Sequence, residues 1–431
     1  MISILSDRTY RHLFTSQIIA LIGTGLATVA LGLLAYDLAG DRAGAVLGTA
    51  LAIKMSAYIL VAPVAAAFAD KFPRRTMLVT LDLVRAMVAF ALPFVTQIWE
   101  IYILIFILQS ASAAFTPTFQ ATIPDILPDE RDYTRALSLS RLAYDLESVI
   151  SPMLAAALLT VMSFHNLFAG TAVGFLASAI LVVSVTLPKM QELTVHRTIY
   201  DKTTRGMRIF LKTPRLRGLL ALNMAVAAAS AMVIVNSVVL VQADFGFSQR
   251  STAIALAFFG VGSMTSALIL PRLLDKMSDR LPMMVGTGLL VTGLGLGIFL
   301  KDYFTLIVLW ALLGVGYSLS QTPSGRLLRR SSTSEDRPAL FAAQFALSHS
   351  CWLVTYPLAG WVGATWGTQA SFIALTAVAA LSLLTAVLIW RPEHEVRSQL
   401  HSHQDAETKA EIEHEHDFVI DDEHPSWPKK K

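Results

Sequence analysis

Apolar runs of about twenty residues or more recur along most of the chain, separated by short polar connections. At about 1.5 Å of rise per residue, each run is long enough to cross a bilayer as an α-helix. Twelve runs are read: residues 13–39, 45–69, 76–96, 101–123, 137–163, 166–187, 217–243, 252–274, 282–300, 304–324, 338–363 and 367–390. They are continuous rather than alternating in polarity, which excludes a transmembrane β-barrel. The first run is too long for a cleavable signal peptide, lacks a small-residue cleavage site, and is followed at once by further spans. The pattern predicts an all-α membrane protein of twelve transmembrane helices. The runs divide into an N-terminal half over 1–187, a linker over 188–216 and a C-terminal half over 217–390, followed by a tail over 391–431.

Basic residues orient these spans. Arg8, Arg11, Lys71, Arg74, Arg75, Arg131, Arg135, Lys276, Arg280, Arg326, Arg329, Arg330 and Arg337 all fall on one side, as does the linker. The opposite connections hold only Arg42, Arg250 and Lys301. Positive charge marks the cytoplasmic side, so both termini are expected in the cytoplasm. The linker carries Lys189, Arg197, Lys202, Arg205, Arg208, Lys212 and Arg215. It reads either as an interfacial amphipathic helix against anionic headgroups or as a solvated loop.

Composition supports the membrane reading. Of 431 residues, 54% are hydrophobic and 15% charged, and mean hydropathy is +0.57. A soluble protein of this size could not cover its surface with so few charges. The net charge of +3 suggests no nucleic-acid partner. The single cysteine, Cys351, forms no internal disulfide. No Walker motif and no hydrolase constellation occurs, so neither ATP-driven transport nor an enzyme is indicated, and no cofactor is called for.

The two halves repeat. Asp70-Lys71 and Asp275-Lys276 stand 205 residues apart, as do Pro152 and Pro357. Thr116-Pro117-Thr118 and Thr322-Pro323-Ser324, each expected to end a span, are 206 apart. Two parallel six-helix halves would place a substrate site at their interface near the membrane midplane. In GTGLLVTGLGLG (Gly286–Gly297), Gly293 and Gly297 form a GxxxG step, read as close helix packing.

With these features the chain resembles the major facilitator superfamily over about residues 8–390. The loop DKFPRR (Asp70–Arg75) looks like that family's cytoplasmic signature, although its leading glycine is absent. The resemblance implies that Asp70, Arg74 and Arg75 form a charge latch favouring the outward-facing state; the alternative is charge that only sets topology. LDLVRAM with Asp82 and Arg85, FTPTFQATIPDILP (Phe115–Pro128) and LSLSRLAYDLESVISP (Leu137–Pro152) look like the drug:proton antiporter branch. LSRLAYDLE, LSHSCWLVTYPLAGW (Leu347–Trp361) and the histidine-bearing tail look most like bacterial nickel-resistance exporters. That resemblance implies a monomeric, proton-coupled efflux transporter of the bacterial inner (plasma) membrane. Its substrate would be a divalent transition metal, nickel or cobalt. A multidrug or siderophore exporter of the same fold is the nearest alternative. A membrane sensor or assembly factor that moves nothing is the alternative from another class.

Ionisable groups inside spans are costly and usually face the bundle interior. Lys54, Glu147 and His349 fall near mid-depth. Glu147 reads as a proton carrier or as a salt-bridge partner of Lys54. Asp145, four residues from Arg141, reads as half of an intrahelical pair or as a transport residue. Asp82 and Arg85 read as a structural pair. His349, Trp352 and Tyr356 share a helix face that suits either an aromatic drug or a metal. Cys351 points about 200° away from His349 on a straight helix and reads as a small core residue.

The tail changes character. It holds His394, His401, His403, His414, His416 and His424, with eleven acidic residues against six basic ones. It lacks the apolar content to fold alone and is expected to be disordered. His401, His403, His414 and His416, interleaved with carboxylates, suit weak capture of a divalent metal.

Overall fold

The structure, a computed structural model, describes residues 2–39, 43–68, 72–188, 198–395, 398–404, 411–417, 419, 420, 424 and 427. Asp70 of the expected latch lies outside the described residues, as do Lys71 and Arg42.

The helices are α1 (Arg8–Ala39), α2 (Ala43–Phe68), α3 (Arg74–Ala91), α4 (Ile98–Ile126), α5 (Glu130–Leu159), α6 (Phe164–Val183) and α7 (Ile199–Lys212). There follow α8 (Pro214–Val238), α9 (Gln249–Leu274), α10 (Arg280–Gly297), α11 (Tyr303–Gln321), α12 (Ser324–Arg329), α13 (Arg337–Trp366) and α14 (Thr368–Ile389). Among the described residues, nine stretches are long and apolar enough to cross a membrane. The other predicted spans fall on α2, whose apolar stretch is the shorter Ala52–Phe68, and on α5 and α13. These three helices carry Lys54, then Arg141, Asp145 and Glu147, then His349 between Ser348 and Ser350. Polar groups concentrated on three helices lower their hydropathy, and such helices belong against protein rather than lipid.

Helix ends follow local chemistry. Asp129 caps α5 by accepting from the backbone N–H groups of Arg131 and Asp132 at 2.9 and 3.0 Å. Glu100 closes a capping box at the start of α4, accepting from Gln97 N–H at 2.9 Å. The expectation that both Thr-Pro steps end their helices holds for one of them. Thr322-Pro323 ends α11, and the short α12 follows, whereas α4 continues through Pro117 to Ile126. Hydroxyls bonded back along α4, Thr118 to Ala114 O and Thr122 to Thr118 O, both at 2.8 Å, add polar contacts where proline removes a donor.

Packing gathers α1–α6 around Leu34, Leu92, Ile101, Phe168 and Phe175. It gathers α8–α11, α13 and α14 around Met232, Leu290, Trp310, Leu313 and Phe372. The two sets meet along two seams: α2 and α4 against α13, and α5 against α9. The GxxxG residues pack as expected. A Cβ on Gly293 would stand 2.6 Å from Leu313 Cδ2 of α11, and Gly297 faces Phe372 of α14. Within α3 the carboxylate of Asp82 pairs with Arg85 and accepts from Ser178 Oγ at 2.8 Å. The Arg85 guanidinium lies between the rings of Phe115 and Phe175, at 4.0 and 4.5 Å.

Of the two readings of the linker, a helix forms. Residues 189–197 lie outside the described residues, and α7 begins after Thr198, whose Oγ1 accepts from Asp201 N–H at 3.2 Å. Its buried face, with Ile209 and Phe210, packs on protein. Arg205 pairs with Asp336 just ahead of α13, with Nη2 2.8 Å from Oδ2. Part of the tail is described. Strands β1 (Ser398–Gln404) and β2 (Glu411–Asp417) form an antiparallel ribbon. Farther on, Ile420 is buried with Ile209, Phe210 and Leu216, and the Trp427 ring lies 5.4 Å from the Arg215 guanidinium.

Candidate functional site

The seam between α2 and α13 carries a cluster of rings. Tyr58 of α2 sits 4.9 Å from Phe345 and 4.7 Å, edge-on, from His349. His349 in turn lies 4.2 Å from Phe345 and 5.0 Å from Trp352. Two anchors fix the arrangement. Tyr58 donates its hydroxyl to Gln109 Oε1 of α4 at 2.9 Å, and His349 Nδ1 lies 2.7 Å from Phe345 O. Lys54, one turn before Tyr58, holds its ammonium 5.6 Å from the Tyr58 ring centre. The indole N–H of Trp352 is buried without a hydrogen-bond partner among the described residues.

Glu147 approaches from α5. It interacts electrostatically with Lys54, as does His349. Lys54 and Glu147 form no direct salt bridge among the described residues. Ser151 and Glu147 together crowd residue 25. A Cβ on Gly25 of α1 would stand 2.6 Å from Glu147 Oε1 and would collide with Ser151. Glu147 and His349 thus each lie within electrostatic reach of Lys54.

The remaining candidates divide. Trp352 joins the ring cluster. Tyr356 packs instead with the core of the second helix set. Cys351 is buried, with its thiol 3.4 Å from Leu347 O, and takes no part in the cluster. The Asp145 side chain lies outside the described part. Its helical neighbour Arg141 reaches across the second seam, with Nε 3.3 Å from Ser263 Oγ and the guanidinium 4.4 Å from the Tyr317 ring.

Tyr58, Gln109 and Phe345 were not legible as site residues. An aromatic or amide in an apolar run carries no marker of what it faces. The nearest signal was their spacing: Tyr58 lies four residues after Lys54, and Phe345 four before His349.

One end of the bundle is tied shut by charges; it also holds residues 2–10 and Trp390 and is called the basic end below. Arg74 is buried and pairs with Asp125 at 2.5 Å, and Asp125 also pairs with Arg337 of α13. Arg74 was expected in the latch, but its partner here is Asp125, at the end of α4. Arg75 is exposed. Arg329 donates across the seam to Pro128 O. Gly325 rests against Tyr133 and Leu137 of α5, with its Cβ position 2.9 Å from the Tyr133 hydroxyl.

Among the described residues, no three or more His, Cys, Asp or Glu gather as metal ligands. The tail ribbon has a distinct pattern. His401 pairs with His414, Gln399 with His416 and His403 with Ile412.

The profile of the Major Facilitator Superfamily matches residues 13–287 and 219–419. An uncharacterized MFS-type transporter of Bacillus subtilis, YfiS, is 24% identical over 222 residues, covering 50% of this chain and 52% of that protein. Macrolide efflux protein A of Enterococcus faecalis is 25% identical over 154 residues, 33% of this chain and 47% of that protein. The chain thus spans about half the length of the curated relatives it matches. Two solved structures share the fold. The human organic anion transporter MFSD10 (TETRAN) superimposes with a TM-score of 0.76 at 14% identity, covering 88% of this chain and 99% of that one. A bacterial homologue of the iron transporter ferroportin, in an outward-facing state, gives 0.74 at 14% identity, covering 88% and 98%.

Proposed function

The chain belongs to the Major Facilitator Superfamily, and on that footing we propose that it exports an amphipathic, ring-bearing organic molecule, coupled to protons, by alternating access. In this reading twelve crossings form two six-helix halves that rock about the two seams. The basic end is cytoplasmic, as the distribution of Lys and Arg favours. The membrane is the bacterial inner membrane. Closure of the basic end by ion pairs corresponds to the outward-facing state.

The observation that carries the substrate class is the ring cluster of Tyr58, Phe345, His349 and Trp352 on a seam between the halves. Rings at a domain interface give a planar substrate large apolar contacts, and the unpartnered indole N–H offers one directional hydrogen bond. The macrolide efflux relatives agree with an organic substrate. Glu147 is the proton carrier. It lies within electrostatic reach of Lys54, so in this reading its protonation alters the charge of the cavity as substrate enters or leaves. The test is accumulation of a radiolabelled macrolide and of a planar aromatic dye in cells lacking their own exporters. Lower accumulation that an uncoupler reverses supports the proposal; accumulation equal to that of cells without the protein rejects it for those compounds.

A divalent metal, nickel or cobalt, is the second reading, favoured by the tail ribbon. His401 is paired with His414 in the ribbon, and a tail with six histidines among carboxylates has a composition suited to such ions. Radioactive nickel accumulation under the same conditions separates the readings. Export of nickel and not of dye would replace the organic proposal.

A further inference from the structure

The chain leaves the basic end at Trp390 and comes back to it at Ile420. Trp390, just after α14, is fully buried, and its carbonyl accepts from Arg280 Nε at 2.7 Å. Ile420 is 4% exposed and joins the same buried cluster, with Ile209 and Phe210 of α7 and Leu216 and Leu219 of α8. Trp427 packs on that cluster, its ring beside the Arg215 guanidinium. Arg215 is itself held in place: its Nε donates to Ser331 Oγ and its Nη2 to Arg330 O, both at 2.8 Å. His424, between the two anchors in sequence, is buried as well. Ordering a polar tail costs conformational entropy, which these buried contacts have to offset.

The contact falls on the corner between α7 and α8. Thr213 makes the corner, with φ −90° and ψ 114°, and Pro214 opens the next helix. Ile209 and Phe210 come from the arm before the corner, Leu216 and Leu219 from the arm after it, and Ile420 from the tail. Away from the corner, α7 lies across a seam, packed against α2 of the first helix set and α13 of the second. The Arg205–Asp336 pair ties α7 to α13 along its length, and a Cβ on Gly206 would collide with Ala339 O. One fixed point leaves a helix free to pivot; a second, at the corner, does not. Charge suits the contact too. The linker over 188–216 holds seven basic residues against Glu192 and Asp201, and the tail holds eleven acidic residues against six basic ones.

We propose that the end of the tail, anchored by Ile420 and Trp427, is a releasable strap that fixes the α7–α8 corner and holds back opening of the basic end. With the corner fixed, α7 stays on α13, and its contact with α2 is lost whenever the two sets part. With the corner free, α7 can follow α2 part of the way. The strap therefore adds the α2–α7 contact to what opening has to break. Two anchor side chains are few enough to let go while the contacts of α7 with α13 persist.

This inference rests on the rocking motion proposed above, and its test reads the strap and the motion separately. Full-length protein in nanodiscs, on a Cys351→Ala background, would carry spin labels at Thr76 and Leu281, both exposed and on different helix sets. Amide hydrogen exchange over 199–212 would report the strap, and the label distances would report the opening. Ile420→Asp and truncation after Asp417 should each raise exchange over 199–212 about tenfold, the loss of one buried aliphatic contact. Exchange over 303–321, in α11, should stay at the parent rate. The ratio of long to short distances should rise severalfold in the same variants, and Ile420→Leu should leave both readouts near the parent. A synthetic peptide of residues 418–431, added to the truncated protein, should reverse both changes. Unchanged exchange over 199–212 after truncation, or a peptide that restores nothing, overturns the strap. Faster exchange with unchanged distances, where Asp125→Asn does move them, overturns the hold on opening and leaves alternating access standing. Distances that neither truncation nor Asp125→Asn moves overturn alternating access and the strap's role in it.

Discussion

The guanidinium of Arg337, at the start of α13, pairs with the carboxylate of Asp125, at the end of α4, across the seam between the two helix sets. Asp125 also holds Arg74 at 2.5 Å, so one carboxylate serves two arginines. Asp125→Asn keeps the shape but removes the charge from both contacts. The closed state should lose at least the worth of one charge-assisted bond, a shift of about tenfold or more toward opening at the basic end. Labelling of a cysteine placed at Leu137, which faces Gly325 in the closed gate, would rise in step. Labelling equal to that of the parent protein would show that the pair does not hold the gate.

Asp82 and Arg85 lie away from both seams, and their role is stability. Arg85→Met would strand a fully buried carboxylate and vacate the space between Phe115 and Phe175. Removing one partner of a buried ion pair costs about 3–5 kcal/mol. The apparent midpoint of thermal unfolding in detergent should fall well below that of the parent, while Arg75→Met at an exposed position should leave it unchanged. Equal midpoints for the two variants would refute the buried-pair account.

How much of this was legible in the sequence follows from what each residue had to overcome. Burying an ionisable group in a membrane is so costly that Lys54, Glu147 and His349 stood out in the sequence, and the structure puts Glu147 and His349 each within electrostatic reach of Lys54. Asp82 and Arg85 were legible because their spacing of three brings them within reach on one helix. Asp125 was not, because its partners lie on α3 and α13, and pairing across helices leaves no periodic trace. Tyr58 and Phe345 were hidden for a related reason: a ring in an apolar span looks alike whether it faces lipid, core or cavity. The Thr116-Pro117 step misled because a proline can be accommodated inside a packed helix, and α4 runs through Pro117 to Ile126.

Gly25 should tolerate no side chain without a functional penalty. Its Cβ would meet both Ser151 and the Glu147 carboxylate, so Gly25→Ala must displace Glu147 or part α1 from α5. Transport should fall severalfold with modest loss of folded protein, and Gly25→Val should be worse on both counts. The control is Gly288→Ala, where nothing lies within 4 Å of the added atom. Fluorescence-detected size exclusion would measure folded protein and dye efflux would measure transport. Full activity of Gly25→Ala would mean that the Glu147 position is not critical.

Tyr58 and Trp352 can be separated by what they contribute. Tyr58 presents a ring to His349 and a hydroxyl to Gln109, so Tyr58→Phe keeps the ring contacts and loses one hydrogen bond. That change should weaken apparent affinity by about fivefold or less. Trp352→Ala removes the ring contact with His349 together with the free indole N–H. It should raise the KM for a planar dye by tenfold or more, with protein level unchanged. Equal KM values for the parent and Trp352→Ala would move the substrate site away from the ring cluster.

Glu147 gives the sharpest distinction between a coupling residue and a structural one. If it only balanced Lys54, Glu147→Gln would leave an unpaired ammonium, and the charge-removing double variant Glu147→Gln with Lys54→Met would restore export. If it carries the proton, neither variant can couple export to a gradient, because amide and thioether do not titrate. Both should still bind substrate and still exchange it passively between the two sides of a vesicle. Counterflow in proteoliposomes therefore should persist in Glu147→Gln while uphill export driven by an imposed pH gradient is lost. Glu147→Asp, which keeps a titratable group on a shorter stem, should retain part of the uphill activity. Recovery of uphill export in the double variant would assign Glu147 to charge balance and send the search for the proton site to Asp145, the neighbouring carboxylate of α5.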